Sequence, residues 1–167
     1  MNRQLHIGLK LVLATAMTRG DYNKYRGWDL PADESHLANE DGFLVEYVDG
    51  GDKNHPEHDG YISWSPKTVF DNAYKASGEM SFGMAIEAAR RGHKVARKGW
   101  NGTGMFAYIV PAAKYKPQTS VAMDMAFDDG LIPYREYWAL FTAQKDVATW
   151  QPSGSDSLAN DWVVYES

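Results

Sequence analysis

The sequence predicts an α+β fold in two modules: a small antiparallel sheet with a packed helix in the second, preceded by a smaller α+β module. Three observations predict it. Apolar residues alternate with polar ones over short, strand-length runs. Helical stretches are bracketed by capping residues and do not alternate regularly with the strands, which argues against a parallel sheet. Pattern and charge both change near Ala76-Ser77-Gly78-Glu79, dividing the chain into residues 1–79 and residues 80–167.

In the first module Leu5, Ile7, Leu9, Leu11 and Leu13 alternate, the pattern of a half-buried strand. Thr18 is placed to cap a short helix that ends at Gly27. Gly42 to Asp49 alternates again, with Phe43, Val45 and Tyr47 on one side, and runs into the turn Asp49-Gly50-Gly51. Tyr61-Ile62-Ser63-Trp64 reads as another strand. Ser65-Pro66 then suggests an N-cap with proline at the first helical position, with Val69, Phe70 and Ala73 as that helix's apolar face.

The second module opens with Ser81 as N-cap of a helix running to Arg91. Its apolar face is Phe82, Ala85, Ile86 and Ala89, and Gly92 ends it. Strands follow at Lys94 to Arg97 and at Met105 to Val110, the latter closed by Pro111. Val121 to Phe127 is expected as a strand ending at the turn Asp128-Asp129-Gly130, and Tyr137 to Thr142 as a further one. Gln151 to Asn160 is a polar loop with room for one helical turn, and Trp162 to Tyr165 closes the module as a strand. No internal repeat or low-complexity tract is present.

Composition narrows the function classes. With 44% hydrophobic and 13% aromatic residues among 167, the chain holds enough apolar material for a packed core. It has no cysteine, so disulfides and thiolate metal sites are excluded. The first residues, broken by Lys10, do not read as a signal peptide, and no apolar run approaches a membrane span. The expectation is a soluble protein of the cytoplasm. Residues 1–79 hold 8 basic against 13 acidic side chains, while residues 80–167 hold 9 of each. An acidic front half argues against wrapping nucleic acid, which needs a broad basic face.

The second half does contain one basic cluster: Arg90, Arg91, Lys94, Arg97 and Lys98, with no acidic residue between Arg90 and Lys98. It runs directly into Gly99-Trp100-Asn101-Gly102-Thr103-Gly104-Met105. Cations and backbone N–H groups suit phosphate, and an aromatic face suits stacking, so the segment fits a small anionic ligand with a flat ring. It supplies no nucleophile or general base. Each residue also has a plainer reading. Trp100 could be a core tryptophan, Asn101-Gly102 a turn, Arg90 and Arg91 a helix C-terminus, and Ser155 or Asp156 a helix cap. His55-Pro56-Glu57-His58-Asp59 pairs histidines with carboxylates, but Pro56 and Gly60 mark a loop and no third ligand completes a shell, so no metal is expected.

Ser81-Phe82-Gly83-Met84-Ala85-Ile86-Glu87, the run from Gly92 to Met105, and the later Ser153, Ser155, Asp156, Leu158, Ala159, Asp161 and Trp162 together carry a resemblance. Over residues 80–167 the chain resembles the second type of Thoeris anti-defence protein, a small phage and prophage family. Residues 1–79 lie outside it, as an accessory module of unnamed role. Tyr115 to Glu136 departs from the compact family pattern as a longer connection.

The resemblance implies a sponge in the cytoplasm of an infected bacterium. Proteins similar to this one capture a cyclic ADP-ribose-type messenger, glycocyclic ADP-ribose, without cleaving it, so the effector NADase never receives its signal. Some also hold cyclic dinucleotides. The resemblance further implies a homo-oligomer, typically a tetramer of dimers, with ligand between subunits and no cofactor. Such a messenger presents a pyrophosphate, two riboses and an adenine. Arg97 and Lys98 would meet phosphate, Trp100 would stack on adenine, and Asn101 would take a ribose hydroxyl or an adenine edge. Met105 closes the glycine-rich segment. Ser153, Ser155 and Asp156 form a second polar cluster, with Asp156 as the acceptor for ribose hydroxyls. The alternatives are a hydrolase of the same signal and a phage single-stranded nucleic-acid binding protein.

Overall fold

A computed structural model of the chain describes residues 4–5, 8–125 and 127–165. It divides into two compact units, Met1–Lys75 and Ala76–Ser167. The architecture is α+β throughout, and every paired strand is antiparallel.

In the first unit β1 (Val12–Ala16), β2 (Gly42–Tyr47) and β3 (Tyr61–Pro66) form a sheet in that order. Helix α1 (Arg19–Arg26) begins at Thr18, whose hydroxyl accepts from Asp21 N, and ends at Gly27 with φ 69°. Both ends follow from local chemistry: an oxygen for an orphan N–H, and a residue without Cβ for the left-handed stop. A 3-10 helix spans Ala32–Leu37. Tyr22 from α1 packs with Leu44 and Ile62 from the sheet, flanked by Met17, Tyr25 and Trp64. Helix α2 (Lys67–Ala73) follows β3, and Phe70 stacks between Phe43 and Tyr74 at 4.3 and 4.8 Å.

Two expectations for this unit are corrected. The strand starts at Val12, not Leu5; Leu5 is 93% exposed, Leu9 and Leu13 are also exposed, and Ile7 lies outside the described residues. Alternation makes a strand only where a partner edge exists. The ladder ends at the pair Val12↔Tyr47, just before Asp49-Gly50-Gly51, and Asp49 Oδ2 accepts from Leu11 N at 3.3 Å where a next rung would lie. Ser65 and Pro66 belong to β3, so Ser65 caps nothing; α2 starts after Pro66 without a side-chain cap, and Val69 is 57% exposed.

The second unit carries a five-stranded sheet in the order β10-β4-β5-β8-β9. Its strands are β4 (Val95–Arg97), β5 (Phe106–Val110), β8 (Tyr137–Phe141), β9 (Val147–Thr149) and β10 (Trp162–Val164). Helix α3 (Phe82–Arg90) is capped by Ser81, which accepts from Met84 N, and Gly92 follows with φ 90°. Its buried face is Ala85, Ala88 and Ala89, laid against Val95, Ala107 and Trp162. Small side chains bring the helix close to the sheet and leave room for large aromatic rings.

Between β5 and β8 the chain forms a separate arm: β6 (Ala113–Tyr115) paired with β7 (Ile132–Tyr134), and the short helix α4 (Ser120–Met123). The strand expected over Val121 to Phe127 is therefore a helical turn. Thr119 Oγ1 accepts from Ala122 N at 3.3 Å, so a local cap outweighs an apolar alternation that no neighbouring strand supports. Ala126 lies outside the described residues. Strands β6, β7 and β9 were not expected; the β8–β9 turn uses Lys145 at φ 65° and contains no glycine to mark it. The last helix, α5 (Gly154–Ser157), is the helical turn expected in the polar loop.

Trp162 is 0% exposed at the centre of this core. Trp162→Ala is expected to cost about 3–5 kcal/mol of unfolding free energy, measurable as a lower denaturant midpoint in equilibrium unfolding.

Candidate functional site

Register places the site. Arg97 on β4 pairs with Trp162 on β10, so Asp161, one residue before Trp162, lies beside the Arg97 side chain. Arg97 Nε donates to Asp161 Oδ1 at 2.8 Å, and Nη1 donates to Asp156 Oδ1 at 2.8 Å. Asp161 Oδ2 also accepts from Gly99 N at 3.0 Å, fixing the entry to the glycine-rich loop; a Cβ at Gly99 would sit 3.1 Å from that oxygen. Two carboxylates thus hold one guanidinium, and Arg97 keeps two N–H groups outside this lattice.

Asp156 is the hub. It is the third residue of α5 in a capping box: Ser153 Oγ accepts from Asp156 N, and Asp156 Oδ2 accepts from Ser153 N at 3.0 Å and from Ser153 Oγ at 2.6 Å. Its Oδ1 takes Trp100 Nε1 at 3.2 Å beside the Arg97 bond, and its carbonyl takes Trp162 Nε1 at 3.0 Å. The carboxylate, expected as an acceptor for ribose hydroxyls, is occupied by four donors of the protein itself. Burial alone would push its pKa up; the bonds from Ser153, Arg97 and Trp100 outweigh that and hold it at about 2. Asp161 is likewise held low, first by Arg97 and then, against its burial, by the Gly99 N–H.

Trp100 is half-buried rather than free. Its ring meets Trp150 and Trp162 edge-on at 5.7 and 5.6 Å, within a set that includes Trp138 and Phe82. The remaining residues divide clearly. Lys98 is exposed, its ammonium lying over Gly78, and among the described residues no carboxylate pairs with it. Asn101 is exposed, with no side-chain hydrogen bond among the described residues. Met105 is half-buried and its sulfur packs directly on Gly102, where any Cβ would collide with it. Ser155 is exposed, its hydroxyl 2.9 Å from that of Ser153. Arg90 turns away to Glu136 at 3.1 Å.

Fold and geometry together thus brace residues 97–105 and 153–156, which are distant in sequence, into one connected surface patch. This defines a small antiparallel α+β domain bearing a rigid polar patch over a tryptophan cluster. The chain belongs to the Thoeris anti-defense 2-like domain family, whose family model matches residues 80–165. It is 34% identical over 90 residues to Thoeris anti-defense 2 of Bacillus phage SP01, covering 52% of this chain and 94% of that one.

The sequence shows Asp161 among the residues that carry the resemblance without showing its bond to Arg97, and Trp150 is not among them. The signal for Asp161 was its place beside Trp162, once the pairing with Arg97 is known. In the first unit His55 and His58 turn to neighbouring side chains. His58 Nδ1 lies 2.7 Å from Glu46 Oε2, and Tyr25 Oη lies 3.0 Å from His58 Nε2 and 2.9 Å from Glu57 Oε2.

Because the folded value for Asp156 lies below the ordinary 3.8, its stabilisation is present above about pH 4 and is lost as the pH falls from there towards 2. Between those limits the wild-type protein should lose about 1–2 kcal/mol more unfolding free energy than Asp156→Asn, whose side chain does not titrate. Urea unfolding at a series of pH values measures the difference; parallel curves would refute the assignment.

Proposed function

We propose that this protein is a phage anti-defence sponge: it binds glycocyclic ADP-ribose, a cyclic ADP-ribose-type messenger, in the cytoplasm of the infected host and withholds it from the Thoeris effector without cleaving it. Membership of the family supports the anti-Thoeris role. The observation that carries the chemistry is the lattice joining Arg97 to Asp156 and Asp161. It holds the glycine-rich loop and the serine-rich turn in fixed relation, so that Lys98, Asn101 and Ser155 stay available on a rigid base.

Lys98 and the two remaining Arg97 N–H groups take the pyrophosphate, with charge-assisted bonds to its oxygens. Asn101 both donates and accepts, and serves a ribose hydroxyl or the adenine edge. Trp100 offers ring surface at the loop base, worth about 1–3 kcal/mol if a base stacks there. Met105 lines the loop and Ser153 fixes the turn, while Asp156 acts as a positioning residue. Capture without cleavage fits the chemistry of the patch: the Ser153 hydroxyl donates to Asp156, whose pKa of about 2 makes it a weak base, and among the described residues no histidine contacts Ser153 or Ser155. Cyclic dinucleotides present the same phosphate and purine chemistry and form a second ligand class for the patch.

A sponge needs sites that bind below the working concentration of the messenger, and nanomolar affinity corresponds to about −12 kcal/mol. One phosphate clamp and one partly covered ring on an open surface fall short of that after ordering costs. Enclosure of the ligand between copies of the chain, as a homo-oligomer, would supply the missing contact area.

Calorimetry of the full chain with glycocyclic ADP-ribose should show tight binding, and heating the complex should release the messenger chromatographically unchanged. Lys98→Ala and Asn101→Ala, both at exposed positions, should each weaken binding about tenfold, and Lys98→Ala should also reduce the salt dependence. Release of an altered product would make the protein an enzyme. Unchanged affinity in both variants would remove the patch as the site.

A further inference from the structure

The first unit has an open cleft of about 440 Å³ between α1 and β3. Its composition is unlike its surroundings. Residues 1–79 hold 13 acidic side chains, yet among the described residues no carboxylate lines this cleft. Two arginines, Arg19 and Arg26, line it instead, with the aromatic rings of Tyr22, Trp28, Tyr61 and Trp64.

The cations differ in what they have left to give. Arg19 is neutralised by Glu34 and Glu40 and lies 5.9 Å from the Trp64 ring centre. Arg26 has no carboxylate partner among the described residues. It lies 4.3 Å over the Trp28 ring, and one of its N–H groups donates to Tyr22 Oη at 3.4 Å. Most of its donors therefore remain for an anion, and an arginine over an indole is already oriented for one.

The aromatic walls are held in place. Trp28 follows the left-handed Gly27, its N–H bonded to Asn23 O at 2.8 Å, and Tyr22 meets its ring edge-on at 6.2 Å. Trp64 Nε1 donates to Met17 O at 2.9 Å. Asn54 exchanges both amide bonds with the Ile62 backbone, at 2.8 and 2.9 Å, fixing the opposite side. Trp28 nevertheless remains 52% exposed, and Tyr61 is exposed as well. A large ring that is oriented by its neighbours, with Arg26 over one face, and that is still half exposed keeps surface for stacking.

We propose that this cleft binds a small nucleotide, its base stacked on Trp28 and its phosphate on Arg26. The site is independent of the patch around residues 97–105 and 153–156 and does not rest on the function proposed for it. A planar ring answers the exposed indole, and an anion answers the uncompensated guanidinium. A single molecule carrying both fits one cleft of this size.

The test uses the full chain, labelled with 15N, and 5′-AMP as the probe, following the indole N–H signals of the six tryptophans. The Trp28 signal should move saturably. By calorimetry Arg26→Ala and Trp28→Ala should each weaken AMP binding tenfold or more, Trp28→Phe should recover most of the loss, and adenosine should bind at least tenfold more weakly than AMP. Lys98→Ala should leave the AMP dependence of the Trp28 signal unchanged, which separates this site from the patch in the second unit. Circular dichroism and melting temperature matched to wild type confirm that the surface variants fold. A Trp28 signal that does not move with AMP, or an Arg26→Ala variant with wild-type affinity, overturns the proposal. So does a short oligodeoxyadenylate that shifts Trp28 where AMP does not, since the cleft would then take a strand rather than a free nucleotide.

Discussion

Asp156 is buried to 9% exposure, and a buried carboxylate without partners would be strongly destabilising. Much of the second unit is arranged to meet that requirement. Its oxygens gather the cap of α5, the guanidinium of β4 and the indole of the glycine-rich loop, and its carbonyl takes the indole of β10. Four separate pieces of chain are thereby fixed relative to one another by a single residue. Removing Arg97 would leave the Asp156 charge without its cation.

Beneath it lies the packing solution of α3. Alanines on the inner face of the helix let it approach the sheet, and the volume they leave is filled by tryptophans meeting edge to face. Indole N–H groups in such a cluster need acceptors, and Asp156 supplies two of them. Core and surface patch are therefore one construction. The same carboxylate that steadies the loop also satisfies the polar edges of the rings below it.

What was legible in the sequence was what depends on neighbours along the chain. Thr18 and Ser81 announce caps by their own chemistry, and Gly27 and Gly92 announce stops, whereas the cap of α5, read at Ser155 or Asp156, falls at Ser153. Strands with strong alternation and a partner, such as β2 and β5, were readable too. Leu5 to Leu13 and Val121 to Phe127 misled because periodicity states only that a segment could pair, never that an edge is available. The site followed the same division: Arg97, Trp100 and Asp156 were found as residue types in motifs. That they bond to one another depends on the antiparallel register of β4 and β10, which no local pattern encodes. The half-burial of Trp100 and the role of Asp161 come from that register.

Tyr25 poses a question of proton inventory. Its hydroxyl has one hydrogen and stands between His58 Nε2 and the Glu57 carboxylate, while His58 Nδ1 faces Glu46. Glu46 is held as a carboxylate by His58 and by the N–H groups of Gly60 and Asp59, so the imidazole must direct its Nδ1 hydrogen there. With a neutral ring, Nε2 is an acceptor and Tyr25 donates to it. With a charged ring, Nε2 donates to the tyrosine oxygen, and the tyrosine hydrogen turns to Glu57. The loop carrying His58 thus stays bonded to α1 with the ring neutral or charged, and only the direction of that bond reverses.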